Sequence, residues 1–201
     1  GFTHSFESHP LLWDVAQTEK LFSLLGSIQN EQKRKAIETA LVYYQKNTKN
    51  LLSQQRKQVI HNDMNPDNVL VNKENPYSMA GMIDFGDMLY APLVNDISVA
   101  CAYETIREES LYDGSKHLLL GYHTENKLTE DELRLVPMLA YNRIAMSLII
   151  SEWRAEEHPE NKDYILGNIS HTWEVFEGIA LEEMETMGER LEGFAADNIK
   201  A

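Results

Sequence analysis

The chain has 201 residues and a formal net charge of −14, from 32 acidic and 18 basic side chains. That length suffices for one domain with a real core, and a hydrophobic share of 43% excludes a disordered or fibrous class. The acidic balance argues against a nucleic-acid partner, which needs clustered Lys and Arg, and against an anionic membrane surface. A nucleotide can still bind an acidic protein when Mg²⁺ neutralises its phosphates. The single cysteine, Cys101, permits no intrachain disulfide and fits a reducing cytosol. Within Val99 to Ala102 it reads as a buried small hydrophobe. No apolar run approaches the roughly 20 residues that span a bilayer; the longest is Ile144 to Ile150. No signal-peptide pattern opens the chain. The expected location is cytoplasmic.

Gly1 to Pro10 is polar and irregular, and His4 and His9 lack a spaced partner for a metal. Val15 to Leu25 reads as a helix that buries Leu21, Phe22, Leu24 and Leu25 and ends at Gly26. Asn30 begins a long helix to about Arg56, with Ala36, Ile37, Ala40, Leu41 and Tyr44 near the 3.6 period. Its Lys33, Arg34, Lys35, Lys46 and Lys49 are diluted by Glu31 and Glu38 and read as a solvated face. Leu51 and Leu52 anchor its end.

Two polar clusters follow, each flanked by short apolar runs. The first is His61-Asn62-Asp63-Met64-Asn65-Pro66-Asp67-Asn68, between Val59-Ile60 and Val69-Leu70-Val71. The second is Asp84-Phe85-Gly86-Asp87, led in by Met79 to Ile83. Short apolar runs bounded by Asn, Pro, Asp and Gly read as strands meeting at turns, with Asn72 to Ser78 as the turn between two of them. Asp63, Asn68 and Asp84 then sit at strand ends, close together. Phosphoryl transfer needs a carboxylate near the attacking hydroxyl and oxygen ligands for Mg²⁺ on the nucleotide phosphates. The Asp-to-Asn step is five residues and Asp-Phe-Gly follows, the order that the kinase signature prescribes. Either cluster alone could be turn chemistry, since Asp and Asn bond their own backbone. His61 reads as a brace of the loop, and Asp87 as a further metal group or a turn residue.

After Asp87, Met88 to Pro92 is expected to pass over the site, with Pro92 starting a helix. Asn95 and Asp96 open the apolar run Ile97 to Tyr103, where Asp96 would brace the metal loop. Asp113 to His123 reads as a helix. Thr129 and Glu132 form a capping box for a helix carrying Leu133, Val136, Leu139, Ala140, Ile144, Leu148 and Ile149, with Pro137 kinking or dividing it. Tyr141, Asn142 and Arg143 interrupt its apolar face. They could line a substrate pocket; the simpler reading pairs Arg143 and Arg154 with surface acids. Asp163 to Arg190 reads as one last helix with Trp173, Phe176, Ile179, Leu181 and Met184 inward, and Glu174 to Glu192 as a solvated face.

The segment from Val59 to Ala102 resembles the aminoglycoside phosphotransferase and choline kinase-like superfamily. Those proteins carry a His-Gly-Asp-x-x-x-x-Asn loop and then Ile-Asp-Phe-Gly-Asp or Ile-Asp-Trp. Ile83 to Met88 and Leu12-Trp13-Asp14 are most similar to the hydroxylysine kinase branch, members of which also occur fused to class III aminotransferases. Asn62 stands where the family has Gly; Asn tolerates the left-handed conformation better than most residues. The resemblance implies an α+β, mostly helical fold, the C-terminal lobe of a protein kinase-like fold, with a small β-hairpin region carrying both loops. It implies Asp63 as catalytic base, Asn68 and Asp84 as Mg²⁺ and nucleotide-binding residues, His61 and Asp87 in support, and ATP or GTP as donor. The acceptor would be an amino-containing alcohol such as hydroxylysine, choline, homoserine or an aminoglycoside.

Only helices and irregular segments precede residue 59, and no G-x-G-x-x-G or G-x-x-x-x-G-K occurs. The expectation is that residues 1–201 are one C-terminal lobe whose N-terminal nucleotide-binding lobe is absent from this chain, so that the chain alone has weak or no activity. The alternative is a non-catalytic binding or regulatory module of a larger fusion protein, and a weaker one is a metal-dependent hydrolase. The acceptor, the choice between ATP and GTP, and the oligomeric state are open at this level.

Overall fold

The computed structural model describes residues 11–198; His4 and His9 lie outside them. The described chain is α+β and mostly helical, with two short antiparallel strand pairs.

The helix expected over Val15 to Leu25 is present as a 3-10 helix, Val15–Ser27. Asp14 caps it by accepting the Ala16 N–H at 2.9 Å. Three residues per turn put Val15, Thr18 and Leu21 on the buried side, while Phe22, Leu24 and Leu25 are only partly covered. Helix α1 (Glu31–Tyr43) starts where expected, with the Asn30 side chain accepting the Lys33 N–H at 3.1 Å. One π turn, Tyr44–Thr48, passes it into α2 (Lys49–Ser53). At its end Leu52 is buried but Leu51 is exposed.

Strand β1 (Lys57–Ile60) pairs with β4 (Leu89–Pro92), Ile60 opposite Leu89 and Lys57 opposite Pro92. Strand β2 (Val69–Val71) pairs with β3 (Met79–Met82) across the Asn72 to Ser78 turn, with an irregularity at Leu70 and Val71. Pro92 therefore ends a strand and does not start a helix. Lacking an N–H, it suits the last ladder position, and α3 (Val94–Glu108) begins two residues later.

Helix α4 (Leu111–Glu125) is capped by Ser110, which accepts the Asp113 N–H. It meets α3 at Gly114, where a Cβ would come within 2.5 Å of the Thr105 nitrogen; only glycine permits that approach. The capping box at Thr129 and Glu132 forms as expected and opens α5 (Glu130–Glu157). Pro137 lies inside α5 without dividing it. This helix packs against α1, α3, α4 and the 3-10 helix and carries the centre of the core, including Leu139, Ile144, Ala145, Leu148 and Ile149. It is long and apolar enough to cross a membrane, contrary to the run-length reading, but 83% of that stretch is buried inside the protein.

The final segment is not one helix. It breaks into α6 (Lys162–Ile165), α7 (Ile169–Gly178), a 3-10 turn (Leu181–Glu183) and α8 (Met184–Asn198). Gly167 and Gly178 weaken the helix at both gaps, and Ile179 and Ala180 are extended. The break lets Trp173, Phe176 and Met184 all reach the core, with Phe176 stacked on Tyr141 at 4.8 Å.

Candidate active site

The strand pairs carry both polar loops at their ends. After β1, His61 is buried and its Nε2 lies 3.0 Å from the Ile83 carbonyl, which ties the first loop to the second. Its ring meets Phe85 at 5.0 Å. Asn62 takes a left-handed φ of 65°, a conformation that Asn adopts at less strain than most side chains. Asp96, near the start of α3, accepts the Asn62 N–H at 3.0 Å. Burial pushes the Asp96 carboxyl above its usual range, opposed by that hydrogen bond. Asp96 thus braces the turn of the first loop, where the sequence reading has it brace the metal loop. The Asn62 amide group is sealed in the interior, with neither polar atom partnered among the described residues.

Asp63 follows, with 21% of its side chain exposed. Its Oδ2 accepts the amide N–H groups of Asn65 and Asn68, both at 3.0 Å. Asn65 also caps a short 3-10 turn, Pro66–Asn68, by accepting the N–H groups of Asp67 and Asn68. The Asn68 amide nitrogen is held twice, by Asp63 Oδ2 and by the Asp63 carbonyl at 2.8 Å. With the nitrogen so committed, the Asn68 side-chain oxygen is the atom left to face an ion.

The second loop is pinned to the first by the Ile83 N–H, which donates to the Asn68 carbonyl at 3.1 Å. Asp84 then turns left-handed (φ 61°) and caps the Phe85–Asp87 turn through the Gly86 N–H. A Cβ on Gly86 would lie 3.2 Å from Asp84 Oδ1, so Gly leaves room for that carboxylate to cap the turn. Asp87 sits in reach of the same charges. Partial burial raises its pKa first, and Asp63 and Asp84 raise it further, against Arg143 and His61.

Among the described residues, no three His, Cys, Asp or Glu side chains close around one point. Asn68 and Asp84 offer two hard oxygens instead. Mg²⁺ is commonly held by one or two protein oxygens, with phosphate and water completing its shell, so this donor set fits that ion.

Arg143 corrects the sequence reading. It is 2% exposed and pairs with Asp63, not with a surface acid: Nη2 donates to Asp63 Oδ1 at 3.2 Å. Its Nη1 donates to the Trp13 carbonyl at 3.1 Å, and the guanidinium lies 4.6 Å from the Trp13 ring centroid. Asn142 beside it donates to Thr18 at 2.8 Å. Arg154 is exposed. The signal in the sequence was the polar Asn142-Arg143 pair on an apolar helix; nothing local named its partners, which lie 80 and 130 residues away.

A model of the phosphotransferase enzyme family matches residues 4–133. The chain belongs to that family. It is 24% identical over 191 residues to a mouse hydroxylysine kinase, covering 92% of this chain and 50% of that protein. To a hydroxylysine kinase of Xenopus laevis it is 23% identical over 175 residues, covering 84% and 47%, and to one of Bos taurus 23% over 192 residues, covering 92% and 50%. The chain spans about half the length of these relatives. No solved structure matches it. These relatives carry the name of the branch that Ile83 to Met88 and Leu12-Trp13-Asp14 resemble.

Proposed function

We propose that the polypeptide containing this chain transfers the γ-phosphoryl group of ATP or GTP to a hydroxyl of an amino-containing metabolite, with hydroxylysine the first candidate because the relatives are named for it. The observation that carries the reading is the Asp63–Asn68 pair joined through Ile83 to Asp84. This supports the reading because adjoining loops then offer a carboxylate suited to the acceptor and two oxygens suited to a metal. In this mechanism Asp63 orients the acceptor hydroxyl and takes its proton as the oxygen–phosphorus bond forms and the bond to the nucleoside diphosphate breaks. Asn68 and Asp84 would hold Mg²⁺, which supplies charge neutralisation at the phosphates. His61 and Asp96 keep the first loop in place, and Asp87 supports the acidic side of the site.

The nucleotide needs a cover, and we assign it to an N-terminal lobe of the same polypeptide. Support comes from the face around the two loops, where Leu70, Val71, Met79, Met82, Phe85 and Tyr90 are each more than two-fifths exposed. Large apolar side chains left exposed on the strand pairs and the second loop suit a surface that a partner covers. On this reading the isolated chain is weakly active or inactive. A cytoplasmic location fits the lone, buried Cys101, whose thiol burial pushes up to about 12.

The test assays the native polypeptide with Mg²⁺, ATP or GTP, and a panel of amino alcohols. Asp63→Ala and Asp84→Ala each lower kcat by at least about a thousandfold, as expected for loss of a base or a metal ligand, with the circular dichroism spectrum unchanged. Full turnover by Asp63→Ala would sink the mechanism. No transfer to any acceptor, with no effect of Mg²⁺ on stability, would favour a non-catalytic binding module.

A further inference from the structure

Arg143 is placed at some expense. A guanidinium taken out of water is costly unless its donors are matched, and here Nε is buried with no partner among the described residues. The remaining contacts are specific. One arm reaches Asp63 Oδ1, the other the Trp13 carbonyl, and the indole covers the flat face. Around it, residues 11–18 act as a strap. Leu11 packs on Ile60, Leu89 and Ala91 at the base of the first loop, Trp13 holds Arg143, and Thr18 holds Asn142.

The two oxygens of Asp63 are loaded unequally. A carboxylate offers about four acceptor sites, two on each oxygen. Among the described residues, Oδ2 receives Asn65 and Asn68, which fills it, and Oδ1 receives Arg143 alone. One site on Oδ1 remains.

We infer that Arg143, clamped by Trp13, is a positioning residue that fixes the Asp63 carboxylate so that Oδ1 is the oxygen that meets the acceptor hydroxyl. The inference rests on the phosphotransferase reading. Lysine cannot replace Arg143, because a single ammonium lacks the planar fork that spans two acceptors while stacking on a ring.

The experiment uses the native polypeptide, Mg·ATP and the amino alcohol it turns over. Wild type is compared with Arg143→Lys and Trp13→Leu for kcat, the KM of each substrate, and the thermal shift produced by Mg·ATP. Displacing a catalytic group by about 1 Å costs on the order of a hundredfold. Arg143→Lys is therefore expected to lower kcat by about 30- to 100-fold, with the nucleotide KM and the Mg·ATP thermal shift within about twofold of wild type. Trp13→Leu lowers kcat by about three- to tenfold in the same pattern, and carries the test by itself if Arg143→Lys does not fold. An unchanged kcat, or a parallel loss of kcat and nucleotide affinity as from general damage to the fold, overturns the inference and leaves the kinase reading standing. A wild-type polypeptide that transfers phosphate to no acceptor overturns both.

Discussion

Glu132 is the buried charge whose removal the structure prices most directly. It is fully buried, yet its carboxylate accepts Arg56 Nε at 2.8 Å, Arg56 Nη2 at 3.1 Å and the Thr129 N–H at 2.8 Å. It therefore closes the capping box of α5 and ties that helix to Arg56, the residue before β1. Glu132→Ala loses one half of the box, about 1 kcal/mol. It also loses a charge-assisted pair, about 1.5–3 kcal/mol for a buried one. Because 48% of the Arg56 side chain is exposed, water replaces part of what the arginine loses, and the second figure is roughly halved. The sum is about 1.8–2.5 kcal/mol, or roughly 4–10 °C in Tm for a domain of this size. Glu132→Gln keeps an oxygen for Thr129 and costs about half as much. Thermal unfolding of Glu132→Ala, Arg56→Ala and the double variant gives the coupling. The singles should exceed the double by at least about 1 kcal/mol. Strict additivity, or a loss below about 0.5 kcal/mol in Glu132→Ala, would refute the assignment of this pair as the tie between α5 and the strand platform.

Asp87 titrates in the opposite sense to a stabilised carboxylate. Its folded pKa is raised above the ordinary 3.8 by burial and by Asp63 and Asp84. Its charge therefore penalises the fold. The penalty is absent below pH 3.8 and complete once the pH passes the folded value. Asp87→Asn should be more stable than wild type at pH 7, by a small margin because the group is only partly buried, and the gap should close toward pH 3; equal stability at pH 7 would contradict this. Gly114→Ala sets a methyl 2.5 Å from the Thr105 nitrogen and 2.6 Å from the Glu104 carbonyl carbon, so α3 and α4 must separate. A loss of about 2–3 kcal/mol in denaturant unfolding is expected, and a neutral result would mean the helices are not so close. Asn62→Gly removes a buried amide with no partner and suits the left-handed φ. Tm should hold or rise, since the unpaired group costs about 1–3 kcal/mol against about 1 kcal/mol of added chain entropy; a fall of several degrees would show that the amide is satisfied in solution.

Much of the site is local and was legible in the sequence for that reason. The loop from His61 to Asn68 is built by hydrogen bonds spanning two to five residues, among them Asn65 to Asp63 and Asn68 to Asp63. Asp84 caps its own turn two residues on. The capping boundaries at Asn30 and Thr129 are equally local. Spacing in the chain sets such contacts, so residue types at fixed offsets announce them. The hairpin from Val69 to Met82 belongs to the same class.

The rest was decided by packing across the chain. Nothing within a turn of Arg143 indicates that it is buried against Asp63 and Trp13, because its partners are brought to it by the fold. The 3-10 winding of Val15–Ser27 is another such choice: the three-residue spacing of Val15, Thr18 and Leu21 fits that helix as well as an α-helix read one residue away, and burial against the core selects it. The division of the last helix likewise depends on Trp173 and Met184 needing different approaches to one core. Short-range hydrogen bonding made the phosphotransferase loops readable from residue order alone; the charge that holds Asp63 in place is a long-range contact, and only the tertiary structure supplies it.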